Sequence, residues 1–204
     1  AVAGTWRKII DYMPNAKILG VTATPIRTDG QGLSEVFDDL IVGASMASLI
    51  DMGYLVKPVV YAPPTAVDLS GVRKRGGDFD AKQLTERMDK PTITGSAVEH
   101  YKKIAAGKPA IAFCASVEHA KHVAEQFKAA GFRARSIDGT MLDSERRNAI
   151  EDLGNGGLHV LTSCDIVSEG TDIPVVEVAI LLRPTQSTGL YIQQVGRALR
   201  AADR

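Results

Sequence analysis

Between residues 109 and 199 the sequence alternates short apolar runs with segments whose apolar residues recur at helical spacing, and this alternation narrows the fold more than any other feature. Residues 109–114 form an apolar run. Ser116 is a good N-cap for the segment after it, where Val117, Ala120, Val123, Ala124, Phe127 and Ala130 lie three or four residues apart, and Gly131 stands where a glycine stop belongs. Residues 132–137 give the next strand, and Asp143 can cap a helix running to Leu153 and closed by Gly154. Residues 158–163 and 178–182 are continuous apolar runs of the kind a strand covered on both faces requires. Ser187 can cap a last helix, expected to continue through Leu199. Parallel strands need crossover connections and helices supply them, so the expected class is α/β: a parallel sheet with helices on both faces.

The chain before residue 109 reads differently. Residues 6–13 look helical, and residues 17–21 look like one buried strand leading into Thr22-Ala23-Thr24-Pro25. One helix and one strand cannot close a domain, so residues 1–43 are expected to be the C-terminal remnant of a first domain. Residues 44–95 read as a connector: a helix over 45–52 stopped by Gly53, an extended piece with Pro58, Pro63 and Pro64, the polar loop Arg73-Lys74-Arg75-Gly76-Gly77, and a short helix over 80–88. Residues 96–204 are then the second domain, expected to stop short of its final strand.

Composition sets outer limits. In 204 residues, 45% apolar side chains suffice for a sizeable core. The 24 basic groups balance the 24 acidic ones, with 4 against 5 in residues 1–43, 9 against 7 in 44–107, and 11 against 12 in 108–204. Bulk positive charge therefore cannot be what holds this chain to nucleic acid; a local groove with backbone amides and a few cations can. No apolar run approaches the roughly 18 residues of a membrane span, and two Cys cannot build a disulfide framework, which fits a reducing cytosol.

At about 100° per residue, Gln193, Arg197 and Arg200 fall within about 60° of one another on the last helix, with Ile192, Val195 and Leu199 opposite. Gly196 leaves room between the polar groups for close approach. Planar guanidiniums pair bidentately with anionic oxygens, so this face suits a polyphosphate; an amphipathic helix with a solvated Arg face has the same pattern. The segment Ser168-Glu169-Gly170-Thr171-Asp172-Ile173-Pro174 follows a strand at the sheet edge where open α/β folds bind ligands. Gly170 permits close backbone approach there and Asp172 can accept from a ribose hydroxyl, or it can be a turn residue. Thr22 and Thr24 present two hydroxyls at a strand end. His119 and His122 lack companions at metal-ligand spacing and read as a solvated helix face. Cys114 and Cys164 read as core thiols, because neither is followed by the Arg of a C-x₅-R phosphate loop. Arg73-Lys74-Arg75 is either a solvated tip or a phosphate contact.

Taken together, TATP at 22–25, AFCAS at 112–116, DGTM at 138–141, VLTSCDIVSEGTDIP at 160–174 and YIQQVGRALR at 191–200 resemble the superfamily-two DEAD/DEAH-box helicases, in particular the RadD-like and restriction-enzyme-like branch of bacterial and phage proteins. The resemblance implies two RecA-like domains that clamp ATP and Mg²⁺ between them and move on a nucleic-acid strand, DNA rather than RNA, laid across both. It makes Thr22, Ala23 and Thr24 the coupling motif. Gly170, Asp172, Gln193 and Gly196 become nucleotide contacts, and Arg197 and Arg200 fingers on the γ-phosphate. Ser116, Gly139, Thr140 and Ser163 are implied as phosphate contacts on the nucleic acid. Cys164 stands where the family often has Thr, and a thiol is a poor hydrogen-bond partner. There is no G-x-x-x-x-G-K-[ST] and no DEAD/DEAH motif; the one Gly-Lys, Gly107-Lys108, is followed by Pro109. The expectation is a fragment, inactive alone, of a cytoplasmic ATP-dependent helicase that needs its first RecA-like domain. The rival is a non-hydrolysing module that uses the same fold to bind nucleic acid or protein.

Overall fold

The computed structural model describes residues 4–22, 34, 36–62, 67–164 and 176–201. Ala23, Thr24, Gly170 and Asp172 lie outside the described residues. In chain order the elements are α1 (Gly4–Tyr12), α2 (Met46–Asp51), β1 (Lys74–Arg75), β2 (Asp78–Phe79), α3 (Ala81–Met88), α4 (Pro91–Ile104), β3 (Ala110–Cys114), α5 (Val117–Ala129), β4 (Ala134–Ile137), α6 (Asp143–Gly154), β5 (Val160–Ser163), β6 (Val178–Leu182) and α7 (Thr188–Gly196).

Four strands pair in the order β4-β5-β3-β6, every pair parallel. The central strand β3 is buried at all five positions, and its side chains alternate between two apolar layers. Ala110, Ala112 and Cys114 join Val98 and Tyr101 of α4 and Val123 and Phe127 of α5. Ile111 and Phe113 join Ala149 and Leu153 of α6 with Ile137 and Leu161. A strand without a solvated face carries no polar alternation, which is why β3 reads as an unbroken apolar run. The expected α/β sheet, covered on both faces, is the observed one.

Local signals act as their chemistry requires. Ser116 Oγ accepts the His119 N–H at 3.1 Å and opens α5; Ser187 Oγ accepts the Leu190 N–H at 3.2 Å and opens α7. Thr162 Oγ1, inside the sheet, donates to the Ala120 carbonyl at 2.7 Å and ties β5 to α5.

Several expectations are corrected. Residues 17–21 are not a buried strand: among the described residues they pair with no strand of the sheet, and Leu19 and Val21 are 87% and 90% exposed. An apolar run becomes a buried strand only where neighbours offer both a ladder and a covering layer; here the described packing at that segment is the Phe37 ring, so close over Gly20 that a Cβ there would meet it at 2.6 Å. The polar loop at 73–77 is a hairpin, with Lys74 opposite Phe79 and Arg75 opposite Asp78. Its two-residue turn needs positive φ twice, which Gly76 (62°) and Gly77 (86°) supply without strain. Helix α4 went unforeseen, although Pro91 sits at its first turn, where proline is favoured; it runs across the expected boundary between residues 95 and 96. Asp143 is the first residue of α6, not its cap; Glu145 Oε2 instead accepts the Leu142 N–H at 3.1 Å. Finally, α7 ends at Gly196, not at Leu199.

Candidate nucleotide and nucleic-acid site

The early end of α7 rearranges the arginine motif. Past Gly196 the turn tightens to i→i−3 bonds, with the Ala198 N–H donating to the Val195 carbonyl at 3.0 Å. The chain then leaves the helix: Arg200 forms an antiparallel bridge with Leu55, and the Val56 N–H donates to the Leu199 carbonyl at 2.8 Å. The two guanidiniums therefore do not share one helical face. Arg197 caps the helix, half-buried, and burial pulls its guanidinium below the ordinary value; Arg200 is exposed and hangs from a backbone pairing with the segment after α2. Gln193 is half-buried on the same helix. A Cβ at Gly196 would meet no atom of the described residues within 4 Å. The expected apolar side is partly met, with Leu199 buried and Ile192 and Val195 half-buried. The most buried polar group of the helix is Gln194, whose Oε1 has no hydrogen-bond partner among the described residues.

The second group lies along the C-terminal edge of the sheet, where all four parallel strands end. The strand order places the β4 end beside Ser163 of β5, next to the β3 end that leads into Ser116, next to the β6 end that leads into Arg183. Ser116, Gly139, Thr140 and Ser163 are thus brought onto one edge, but they are unequally available. Ser116 is half-buried and its Oγ accepts the α5 capping bond, leaving the hydroxyl proton to donate. Gly139 is exposed. Both donors of Thr140 point at Asp138 Oδ1, the N–H at 2.8 Å and the hydroxyl at 2.5 Å. Ser163 is buried, and its Oγ has no partner among the described residues.

Asp138, expected only as a member of the DGTM segment, organises the turn after β4. Its carboxylate accepts the Thr140 hydroxyl, then the Thr140 N–H, and lies 3.7 Å from Lys121 Nζ; these hold its pKa below the ordinary carboxylate value against an opposing effect of burial. A depressed folded-state pKa stabilises above the unfolded value, about pH 4, and that contribution is lost as pH falls through the lower folded value. Asp138→Asn is expected to cost about 1 kcal/mol at neutral pH, with the gap to the native protein closing below about pH 4 in urea titrations. A gap unchanged by acid would mean that the charge does not hold this turn.

Other readings are settled by burial. His119 is not on a solvated face: it is fully buried, its Nδ1 accepts the Ala115 N–H at 3.2 Å, and burial lowers its pKa. His122 is exposed and sits 2.7 Å from Asp89. Cys114 is a core thiol that burial pushes up, and Cys164 is half-buried and shifted the same way for the same reason. Among the described residues no three His, Cys, Asp or Glu side chains gather as a metal site. No helix among them is long and apolar enough to cross a membrane. Arg183, absent from the residues expected at the site, follows β6 directly on the C-terminal edge of the sheet, half-buried with its Nη2 3.9 Å from Asp78 Oδ2.

The described residues thus form a parallel α/β layer with hydroxyls along its strand ends and an arginine at the end of its last helix. The family model described as helicase conserved C-terminal domain matches residues 94–202, and the chain belongs to that family. A 51.5 kDa protein of a Lactococcus phage (isolate 7-9) is 36% identical over 202 residues, covering 99% of this chain and 44% of that protein. IRC3 of Saccharomyces cerevisiae, provisionally named an ATP-dependent helicase, is 29% identical over 209 residues, covering 98% of this chain and 30% of that protein. The Type I restriction enzyme EcoAI endonuclease subunit of Escherichia coli is 24% identical over 226 residues, covering 98% of this chain and 28% of that protein. The chain spans less than half the length of each of these relatives.

Proposed function

We propose that this chain is the C-terminal part of an ATP-dependent nucleic-acid helicase or translocase, acting on DNA in preference to RNA, in which Arg197 and Arg200 are the fingers on the γ-phosphate. The observation that carries this reading is the arrangement at the end of α7: a half-buried arginine at the helix terminus, next to a glycine where a Cβ would meet no described atom within 4 Å. Gln193 and Gly196 line the same nucleotide approach, and Gly170 and Asp172 are assigned to nucleotide and ribose. Ser116, Gly139, Thr140 and Ser163 are assigned to the strand's phosphates, which positions a strand without reading its sequence. Thr140 can donate only by leaving Asp138, so Gly139 and Ser116 are the readier contacts of the four. Similarity to a restriction-enzyme subunit over 98% of this chain supports DNA.

Residues 1–43 are read as the end of the first RecA-like domain, carrying Thr22, Ala23 and Thr24 as the coupling motif, with 44–95 as connector and 96–204 as the second domain. Exposed apolar side chains at Leu19, Val21, Leu40, Ile41 and Val42 support a covering first domain, because stretches of this kind mark interaction surfaces. The phosphate-cradling loop and the Mg²⁺ carboxylates belong to that domain, so the 204-residue chain by itself is expected to turn over no ATP with Mg²⁺. Joined to a domain bearing G-x-x-x-x-G-K-[ST] and a DEAD/DEAH motif, it is expected to support turnover that single strands stimulate. Robust Mg²⁺-dependent hydrolysis by the chain alone, measured as phosphate release, would refute this division of labour.

A further inference from the structure

The cations of the basic hairpin β1–β2 have no part in the site described above, yet two anchors fix the hairpin to the sheet edge that carries the proposed phosphate contacts. The first is apolar. Phe79 packs in a cluster with Leu84 and Met88 of α3 and with Ala115, the residue before Ser116. The second is polar and joins residues more than a hundred positions apart. Asp78 Oδ2 accepts the Thr185 hydroxyl at 2.8 Å, and Asp78 Oδ1 accepts the Gln186 N–H at 2.7 Å. Thr185 and Gln186 lie between the C-terminal end of β6 and the start of α7. Because β6 neighbours β3, the two anchors hold the hairpin over adjacent strand ends.

Arg73, Lys74 and Arg75 are exposed on the first arm of the hairpin, just before a Gly76-Gly77 turn whose twist matches that of its strands. On the edge beside it, Lys121 lies 3.7 Å from Asp138 Oδ2 and Arg183 lies 3.9 Å from Asp78 Oδ2, so each of these cations stands next to a carboxylate. Hydroxyls and amides orient a phosphate backbone, but affinity for it comes from cations that displace its counterions. We propose that the hairpin is a phosphate-binding arm, with Arg73, Lys74 and Arg75 neutralising the backbone of a single strand as it passes Ser116 and the ends of β3 and β6, and with Asp78 as the positioning residue that holds the arm over that track. The proposal rests on the helicase reading above. Asp78 also ties the arm to the start of α7: Thr185 Oγ1 accepts the Ser187 N–H at 3.0 Å, and Ser187 caps the helix that ends at Arg197.

The test uses the full-length protein and a fluorescein-labelled oligothymidylate of about 20 nucleotides, longer than a single binding module covers. Neutralising the arm as Arg73→Gln, Lys74→Gln and Arg75→Gln together should weaken binding about tenfold at moderate salt and lower the slope of log K against log salt by about 2, that is about 0.7 per phosphate lost on a single strand. Thr185→Val, which removes the hydroxyl that Asp78 holds and changes no charge, should weaken binding in the same direction by loosening the arm; the glutamine variant alters only exposed side chains and remains informative should Thr185→Val fail to fold. Native affinity and slope in the glutamine variant, with the unchanged protein binding normally, would overturn the arm and leave the helicase reading standing. An unchanged protein that binds no single strand would overturn both.

Discussion

Replacing Arg197 by Ala, in the protein carrying its first domain, is expected to lower kcat for ATP by about 10³-fold or more, with KM for ATP moving far less. A phosphoryl group in transfer spreads charge over its three equatorial oxygens, and a guanidinium brought against them is worth about 10³–10⁵ in turnover. A thousandfold loss corresponds to about 4 kcal/mol of transition-state stabilisation. Burial lowers the pKa of Arg197, but an arginine keeps its charge at neutral pH. Arg197→Lys should not restore the rate, since an ammonium retains charge but not the planar fork that binds two oxygens at once. Arg200→Ala is expected to cost a similar factor by a different route. Its backbone is pinned by the Leu55 bridge, so the side chain is presented by the connector as much as by the helix. Arg200→Ala with turnover within a few-fold of native would remove Arg200 from the site and leave Arg197 as a single finger.

The sheet was legible in the sequence because its strands are short apolar runs, with β3 and β5 buried at every position, and because Ser116, Gly131 and Ser187 sit where caps and stops have local chemistry. What escaped depended on partners far away along the chain. The 100° rule put Arg197 and Arg200 on one face, and it fails because the Leu55–Val56 backbone draws residues 199 and 200 out of the helix; nothing within residues 187–200 encodes that pairing. Residues 17–21 carry the apolar pattern of a buried strand but have no strand beside them in the sheet, so pattern alone misplaced them. The hairpin turn was encoded locally by Gly76-Gly77 between residues able to pair, and was overlooked because its strands are only two residues long. Asp78 gave no local sign of its role, since its partners stand 107 and 108 positions further on. The strand-end residues Ser116 and Ser163 could be placed on one edge by counting strands, whereas the diversion of both Thr140 donors to Asp138 required the geometry.

Phe127→Ala is expected to destabilise the domain by about 3–5 kcal/mol, the usual cost of emptying a fully buried aromatic position. Phe127 has no exposed surface, and its ring meets Tyr101 edge-on at 5.4 Å and 84° and Phe132 at 6.1 Å and 65°. Tyr101 and Phe132 are themselves edge-to-face at 5.0 Å, so the three rings form one unit between α4, α5 and the entry to β4. Removing the shared member takes away two favourable ring contacts as well as the buried area. Tyr101 cannot readily move in to fill the space, because its hydroxyl donates to the Lys108 carbonyl at 2.7 Å and fixes that ring. Urea unfolding should show a lower midpoint with an unchanged slope, and Tm should fall by roughly 10 °C or more. Phe127→Leu, which keeps most of the volume, should cost clearly less. The consequence reaches the strand track, since Phe127 seats α5 on β3 and the N-cap of α5 is Ser116. At temperatures where Phe127→Ala remains folded, single-strand affinity should therefore fall more than for Leu153→Ala, a substitution of the fully buried α6 residue in the opposite apolar layer. Equal losses from the two variants would mean that general loosening of the sheet, and not the seating of Ser116, governs binding.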